Sequence, residues 1–271
     1  MNTKIGIISL GLIGGSILKS LNKSGYELFC CTRNLAAIKA AKAYTPNVSS
    51  NMEIVKDCDI VFVCSPMSKT VEILDTLENI VEKDTIVADV CSLKSFVMQK
   101  KRPYVFIGTH PMAGTERNGF DASFADLFNG AKWVITPAED VDKIKIDKLV
   151  KIIEATGAQT IIANPEEHDR AVALISHMPM LVAQALVKTA RPDSLAIKLA
   201  SSGFRDTTRL ALSNTDMAFD MVKINSTNIT EALVALMENA KDLLKDDYFE
   251  QITDIKDFRA RMYDPKGNNI V

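Results

Sequence analysis

Lys4-Ile5-Gly6-Ile7-Ile8-Ser9-Leu10-Gly11-Leu12-Ile13-Gly14-Gly15-Ser16 is the stretch whose reading decides the fold. An apolar, β-branched run, Lys4–Ser9, gives way to an amphipathic helical pattern over Leu12–Ser24. Small residues fall at Ser9, Gly11 and Gly14, the spacing of a strand–turn–helix phosphate loop with serine in place of the first glycine. Gly11 lets the backbone approach an anion, and Gly14 lets the helix lie close to the strand. The helix start then offers unpaired N–H groups and the positive end of its dipole. This predicts a cradle for a dinucleotide pyrophosphate, with Ser9, Gly11, Leu12, Ile13 and Gly14 as candidate contacts.

The apolar stretch Ile5–Leu18 behind Lys4 also resembles a secretion signal in outline. Its glycines stand at loop spacing, and no small-residue cleavage site comes before Lys19. No other run is expected to approach the length of a membrane span. The five cysteines, Cys30, Cys31, Cys58, Cys64 and Cys91, show neither CxxC spacing nor a disulfide framework. Together these predict a soluble chain in a reducing compartment, the cytoplasm.

Moving outward, short strand-like runs alternate with helical ones as far as Ala163. The strands are expected at Lys4–Ser9, Glu27–Thr32, Ile60–Cys64, Thr85–Asp89, Tyr104–Gly108, Trp133–Thr136 and Gln159–Ile162. Helices are expected at Leu12–Ser24, Lys69–Val81 and Ile144–Ala155. Such alternation builds βαβ units and a mostly parallel sheet, an α/β class. After Asn164 the strands stop. Asn164-Pro165-Glu166-Glu167 reads as a cap, a proline in the first turn and two acids. The remainder of the chain has helical patterning, at Glu166–Ser176, Leu181–Thr189, Ser194–Leu199 and from about Ser226 to Asp247, with a kink expected at Pro179. The expected division is a dinucleotide-binding domain at residues 1–164 and an all-α domain at residues 165–271.

The 271 residues carry a formal net charge of −2, with 47% hydrophobic and 24% charged residues. That balance gives no electrostatic footprint for nucleic acid or an anionic membrane. The basic run Lys100-Lys101-Arg102 reads as a solvated helix end.

In an open parallel sheet, ligands bind beyond the carboxyl ends of the strands. At the second strand's end, where an acid usually holds the ribose hydroxyls, stand Thr32 and Arg33. A hydroxyl and a guanidinium suit a 2′-phosphate, so the reading leans to NADP, with NAD kept open. Further strand ends supply Ser65-Pro66, the segment Asp89–Lys94 that contains Ser92, and His110, one of only three histidines. Metal is not implied, because the histidines lie far apart in sequence and no carboxylate cluster joins them.

Gly108-Thr109-His110-Pro111-Met112-Ala113-Gly114-Thr115-Glu116 resembles the signature of the prephenate dehydrogenase family. Glu166-Glu167-His168-Asp169-Arg170, Ile175-Ser176-His177-Met178-Pro179 and Gly203-Phe204-Arg205-Asp206-Thr207-Thr208-Arg209 resemble further family segments, in the family's order. Met180 stands where many members carry a second histidine, and Cys91 replaces a usual glycine beside Ser92. The resemblance implies a Rossmann-like domain followed by a helical domain that dimerises, with no room for an appended mutase or regulatory domain.

It also implies roles. His110 would accept the proton of the substrate ring hydroxyl, as a neutral imidazole can near working pH. Ser92 would touch both His110 and that hydroxyl, or cap a helix. His177, Thr115 and Glu116 would line the substrate pocket. Arg209, with Arg205 as a second contact, would grip a substrate carboxylate by a planar, permanently charged fork. His168 reads instead as a structural residue of its helix's first turn. The implied reaction is oxidative decarboxylation of prephenate to 4-hydroxyphenylpyruvate with hydride transfer to NAD or NADP. The sibling reading is arogenate to tyrosine, since the two substrates differ at one side-chain carbon. A non-catalytic NADP-binding redox sensor is the reading from another class; it has no use for a proton acceptor.

Overall fold

The computed structural model describes residues 2–115, 117–245 and 247–263. In chain order the first half runs β1 (Lys4–Ile8), α1 (Leu12–Leu21), β2 (Glu27–Cys31), α2 (Leu35–Ala41), β3 (Val48–Ser49), β4 (Ile60–Val63) and α3 (Met67–Leu77). It continues with β5 (Ile86–Asp89), β6 (Val105–Pro111), β7 (Lys132–Pro137), α4 (Lys143–Glu154) and β8 (Gln159–Ile162). The strands form one eight-stranded sheet in the order β3-β2-β1-β4-β5-β6-β7-β8, all pairs parallel except β6–β7. This is the doubly wound arrangement in which the order reverses beside β1, where a dinucleotide crevice opens. The expected class is thus the observed one. The two-residue β3 and the short α2 escaped the sequence reading because neither is long enough to show a period.

β4 is buried along its whole length and β5 likewise, as strands covered on both faces must be. One core joins Ile5, Ile7 and Phe62 to Ile17, Leu18 and Leu21 of α1 and to Trp133, Leu149 and Ile153. The other joins Ile8, Val61, Val63 and Val87 to Leu74 and Leu77 of α3. Val172, Met180, Ala218 and Met221 belong to that second core, so the helical half is seated on the sheet. The larger of these side chains each stabilise the junction by about 1.5–3 kcal/mol.

The helical half runs α5 (Pro165–Val172), a π turn (Ala173–His177), α6 (Met178–Ala190), α7 (Ser194–Leu199) and α8 (Ser202–Thr207). A 3-10 turn (Arg209–Leu212), α9 (Thr215–Ile224), α10 (Ser226–Asp242) and α11 (Tyr248–Arg261) complete it. The Asn164 side chain accepts from the N–H groups of Glu166 and Glu167, capping α5. The expected segments Glu166–Ser176 and Leu181–Thr189 form one continuous helix through Pro179. Proline lacks the N–H for the carbonyl one turn back. The helix winds one π turn just upstream instead, with the Met178 N–H bonded to the Ala173 carbonyl.

Two expectations are overturned by the fold. Pro165–Ala190 is a continuous 26-residue helix with an 18-residue window of mean hydropathy 1.5, long and apolar enough to cross a membrane. The polar residues scattered through it hid its length in the sequence. It carries His168, Asp169 and His177 inward, as a helix of a folded core does. The run Lys100–Arg102 is not a free solvated end either: Arg102 is buried and ion-paired with Asp75 and Glu78, and Lys101 pairs with Asp140.

Candidate active site

The glycine loop has the geometry its spacing requires. Ser9 sits at φ +70°, in the left-handed region where glycine is the easy residue, and its N–H bonds the Cys31 carbonyl at 2.8 Å. A β-carbon at Gly14 would lie 2.1 Å from the Ser9 carbonyl oxygen, so only glycine allows α1 to start there. At Gly11 a β-carbon would meet nothing within 4 Å, which is the open approach a pyrophosphate needs. Leu12 and Ile13 form the first turn of α1, whose N–H groups face that opening. The loop therefore fits a dinucleotide.

The other cofactor candidates stand at strand ends. Thr32 follows β2 and is buried, its hydroxyl accepting from the Asn34 N–H at 3.4 Å, while Arg33 is exposed. Ser65 follows β4 and is hydrogen-bonded to Thr70 at 2.9 Å.

His110 reaches the crevice because β6 outlasts its parallel neighbour. β5 pairs with β6 only as far as Ile107, while the antiparallel β7 carries β6 on to Pro111. The last residues of β6 thus project past the carboxyl edge of the parallel strands. Behind them a fully buried Lys94 pairs with an equally buried Asp89 and donates to the Thr109 carbonyl at 2.6 Å. That clamp ties the loop after β5 to the base of His110.

His110 Nδ1 lies 2.9 Å from His168 Nε2, with the two rings edge-on at 5.1 Å between centroids. His168 Nδ1 in turn lies 2.9 Å from Asp169 Oδ1. Asp169 accepts from the backbone N–H groups of Lys94 at 2.8 Å and Ser95 at 2.9 Å. Burial raises the Asp169 carboxyl, but the His168 bond and these N–H groups outweigh it and hold it below the usual carboxylate range. Burial pushes His110 well below its ordinary value, and the neighbouring His168, Lys94 and His177 push the same way. His110 is therefore neutral at working pH and able to accept a proton.

His177 lies in the π turn, 1% exposed. Its Nδ1 is 3.2 Å from the Asn225 amide nitrogen, which also donates to the Asp169 carbonyl at 2.9 Å. Its Nε2 is buried without a partner among the described residues. The three histidines, remote in sequence, are thus neighbours in space. His110 and His168 are bonded to each other, and among the described residues no group of three His, Cys, Asp or Glu is placed to hold a metal.

The remaining candidates are less closely drawn in. Ser92 donates to the Met67 sulfur at 3.2 Å rather than to His110, and it begins no helix. The neighbouring Cys91, in place of a glycine, is buried and bonded to Thr70, which holds this part of the loop toward α3. Arg209 is exposed at the start of its 3-10 turn, which packs on α6. Arg205 is exposed and paired with Asp206 at 2.9 Å. Thr115 is exposed and accepts from the Arg117 N–H at 3.2 Å. Glu116 lies outside the described residues. Sequence reasoning set His168 aside as structural and overlooked Asp169, Lys94 and Asn225. For Asp169 a signal was present: it is a carboxylate directly beside an imidazole in the Glu166–Arg170 motif.

A doubly wound sheet, a glycine loop that fits a dinucleotide and a helical second half define the class of dinucleotide-binding folds with an appended helical domain. Residues 19–162 match the family model described as prephenate dehydrogenase, nucleotide-binding domain, and residues 164–256 match prephenate dehydrogenase, dimerization domain. The chain belongs to the prephenate dehydrogenase family. It is 31% identical over 248 residues to a prephenate dehydrogenase of Bacillus subtilis, covering 85% of this chain. The chain spans 66% of that relative's length, just under two thirds. A crystal structure of prephenate dehydrogenase from A. aeolicus, in complex with hydroxyphenyl propionate and NAD+, superposes with a TM-score of 0.85 at 28% identity. That match covers 96% of this chain and 98% of the other. Synechocystis arogenate dehydrogenase gives a TM-score of 0.81 at 29% identity, covering 96% and 97%.

Proposed function

We propose that this chain oxidatively decarboxylates prephenate to 4-hydroxyphenylpyruvate and CO2. The observation that carries the reading is the neutral, partly buried His110 held past the carboxyl edge of the same sheet whose first strand ends in a loop shaped for a dinucleotide. The bound nicotinamide supplies the hydride acceptor. Loss of hydride from a carbinol carbon requires the hydroxyl to give up its proton, and His110 is the group placed to take it. The ring then loses CO2 and becomes aromatic, which drives the step forward. In this reading Arg209, assisted by Arg205, binds a substrate carboxylate, and His177 and Thr115 contribute to the pocket. Ser92 reaches the substrate hydroxyl by turning away from Met67.

The likeness to an arogenate dehydrogenase favours a second reading, oxidation of arogenate to tyrosine. Steady-state rates with prephenate and arogenate, each with NAD+ and NADP+, decide between them. Turnover of prephenate at least ~10-fold above arogenate, about 1.4 kcal/mol of discrimination, supports the first. The reverse supports the second; turnover of neither overturns both. For the cofactor we favour NADP+, because no acid follows β2 to repel a 2′-phosphate and Thr32 and Arg33 stand there instead.

We further propose a homodimer through the helical half, acting in the cytoplasm. Phe219, Leu212, Leu244 and Phe249 are all more than 60% exposed, an apolar load that a second copy would cover. The description of the matched family model as a dimerization domain supports this. The free cysteines and the family's biosynthetic chemistry support the compartment.

A further inference from the structure

Asp169, His168 and His110 lie in one line of hydrogen bonds, and the chemistry of each group dictates where the protons sit. An ionised Asp169 only accepts, so His168 keeps its proton on Nδ1 and donates it. In the neutral ring His168 Nε2 is then the lone pair and accepts. His110 Nδ1, 2.9 Å away, must be the donor. The lone pair of His110 is thereby placed on Nε2, the nitrogen with no hydrogen-bond partner among the described residues. We infer that Asp169 and His168 are positioning residues that fix His110 in the Nδ1–H tautomer, leaving Nε2 as the proton acceptor of the reaction. This rests on the function proposed above.

Atoms and charges balance in the resulting step. The substrate C–H bond breaks and its hydride goes to the nicotinamide. The hydroxyl O–H bond breaks, its proton forms the Nε2–H bond of His110, and the oxygen becomes a carbonyl. The new imidazolium donates through Nδ1 to His168, a charge-assisted bond, while His168 keeps its own proton and Asp169 its negative charge. Without the acceptor at His168 the ring of His110 would be free to adopt the other neutral tautomer, whose Nε2 already carries a proton. Ring nitrogens are assigned in this way wherever one of them is committed to a fixed partner.

The other charged or titratable neighbours do not reproduce this bias. Lys94 and Asp89 are bonded to each other, and Lys94 also to the Thr109 carbonyl. His177 is engaged with Asn225. None of the three has a hydrogen bond to His110. Among the described residues only the His168 nitrogen meets its Nδ1. The rigidity of the line comes from the backbone N–H groups of Lys94 and Ser95, which hold both oxygens of Asp169. Substituting Asp169 would release that loop, so the decisive change is at His168.

The test combines imidazole 15N NMR of the full-length protein, assigned by His110→Asn, with the kinetics of His168→Leu and His168→Gln. Only three histidines contribute signals. Wild type at about pH 7.5, above the ordinary histidine range, should show Nδ1–H for both His110 and His168. His168→Leu should move His110 to Nε2–H and lower kcat by about 10- to 100-fold, the worth of one hydrogen bond to a charged group. Its KM and NAD(P)H affinity should stay close to wild type. His168→Gln, whose amide oxygen can occupy the acceptor position, should restore at least part of kcat and the Nδ1–H tautomer. A merely structural role would lower stability without switching the tautomer. Wild-type His110 carrying its proton on Nε2, or His168→Leu with unchanged kcat, would overturn the inference. If the tautomers are as expected but neither prephenate nor arogenate is turned over, the line of bonds stands and the substrate reading falls.

Discussion

A β-carbon placed on Gly14 would stand 2.1 Å from the carbonyl oxygen of Ser9, while one on Gly11 would touch nothing within 4 Å. The two glycines therefore do different work. Gly14→Ala must push α1 off the strand end and should lower both thermal stability and cofactor affinity. Gly11→Ala should fold with a wild-type melting temperature but bind NAD(P)H at least ~10-fold more weakly, because the methyl group fills the approach to the phosphates. Thermal melts with NADPH and NADH fluorescence titrations check both. Equal losses of stability in the two variants would contradict the assignment.

Thr32 is buried at the end of β2, its hydroxyl accepting the Asn34 N–H that a carboxylate there would also attract. Wild type should use NADP+ at least as well as NAD+. Thr32→Asp should shift the ratio of kcat/KM values toward NAD+ by about 10- to 100-fold, the worth of one charge-assisted contact. A wild type that strongly prefers NAD+ would refute the proposed role of Thr32 and Arg33.

His110→Asn should lower kcat by about 10²–10⁴-fold, the usual contribution of a positioned base, with cofactor affinity retained. Burial, reinforced by His168, Lys94 and His177 around it, depresses the proton affinity of His110. The base is neutral above its pKa, so kcat/KM of wild type should stay level down to a pH below the ordinary histidine value of about 6.5 and fall only beneath it. A profile that already falls on going from about pH 8 to about pH 7 would place the essential base elsewhere.

His177 tests the same physics through stability. Burial, reinforced by His168 and opposed by Asp169, holds its imidazole down to about 4. In the unfolded chain it binds a proton near about 6.5. Between those values the unfolded state takes up a proton that the folded state refuses. Stability is therefore full above about pH 6.5 and declines as the pH falls toward about 4, by about 3 kcal/mol from this group. His177→Gln should flatten that decline in denaturant titrations run from about pH 7.5 to about pH 4.5, the window in which the two states differ. A variant as acid-sensitive as wild type would show that His177 is not the group responsible.

The helical half leaves Phe219 63% exposed beside Leu181, Ala218 and Val222, which line a surface hollow of about 440 Å³. Light scattering at micromolar concentration should return twice the chain mass. Phe219→Asp, which sets a charge on that face, should shift the population toward monomer. A monomeric wild type with full activity would refute the assembly.

Much of this was legible because its signals are local. The strand–turn–helix of Lys4–Ser24, the capped start at Asn164 and the histidine at the end of a strand are each written within a few neighbouring residues. What could not be read depends on distance. No spacing brings His168 to 2.9 Å from His110, since 58 positions separate them and only the seating of α5 on the sheet joins them. The place of Asp169 beside His168 is legible, but its other partners, the N–H groups of Lys94 and Ser95, lie 75 and 74 residues away. The segments on either side of Pro179 read as separate, yet they are one helix, Pro165–Ala190, whose Val172 and Met180 both join the core on the sheet.

The π turn at Ala173–His177 fixes an angle. One residue beyond the count of a regular helix advances everything after it by about 100°. The face that α6 presents is therefore set by this surplus residue as well as by its own pattern of side chains. Removing it, for example by deleting Leu174, would give a more regular rod and swing His177 about a quarter-turn out of register with His168. Any redesign of this protein that scores helical regularity would find that deletion attractive, and it would disable the site by rotation alone.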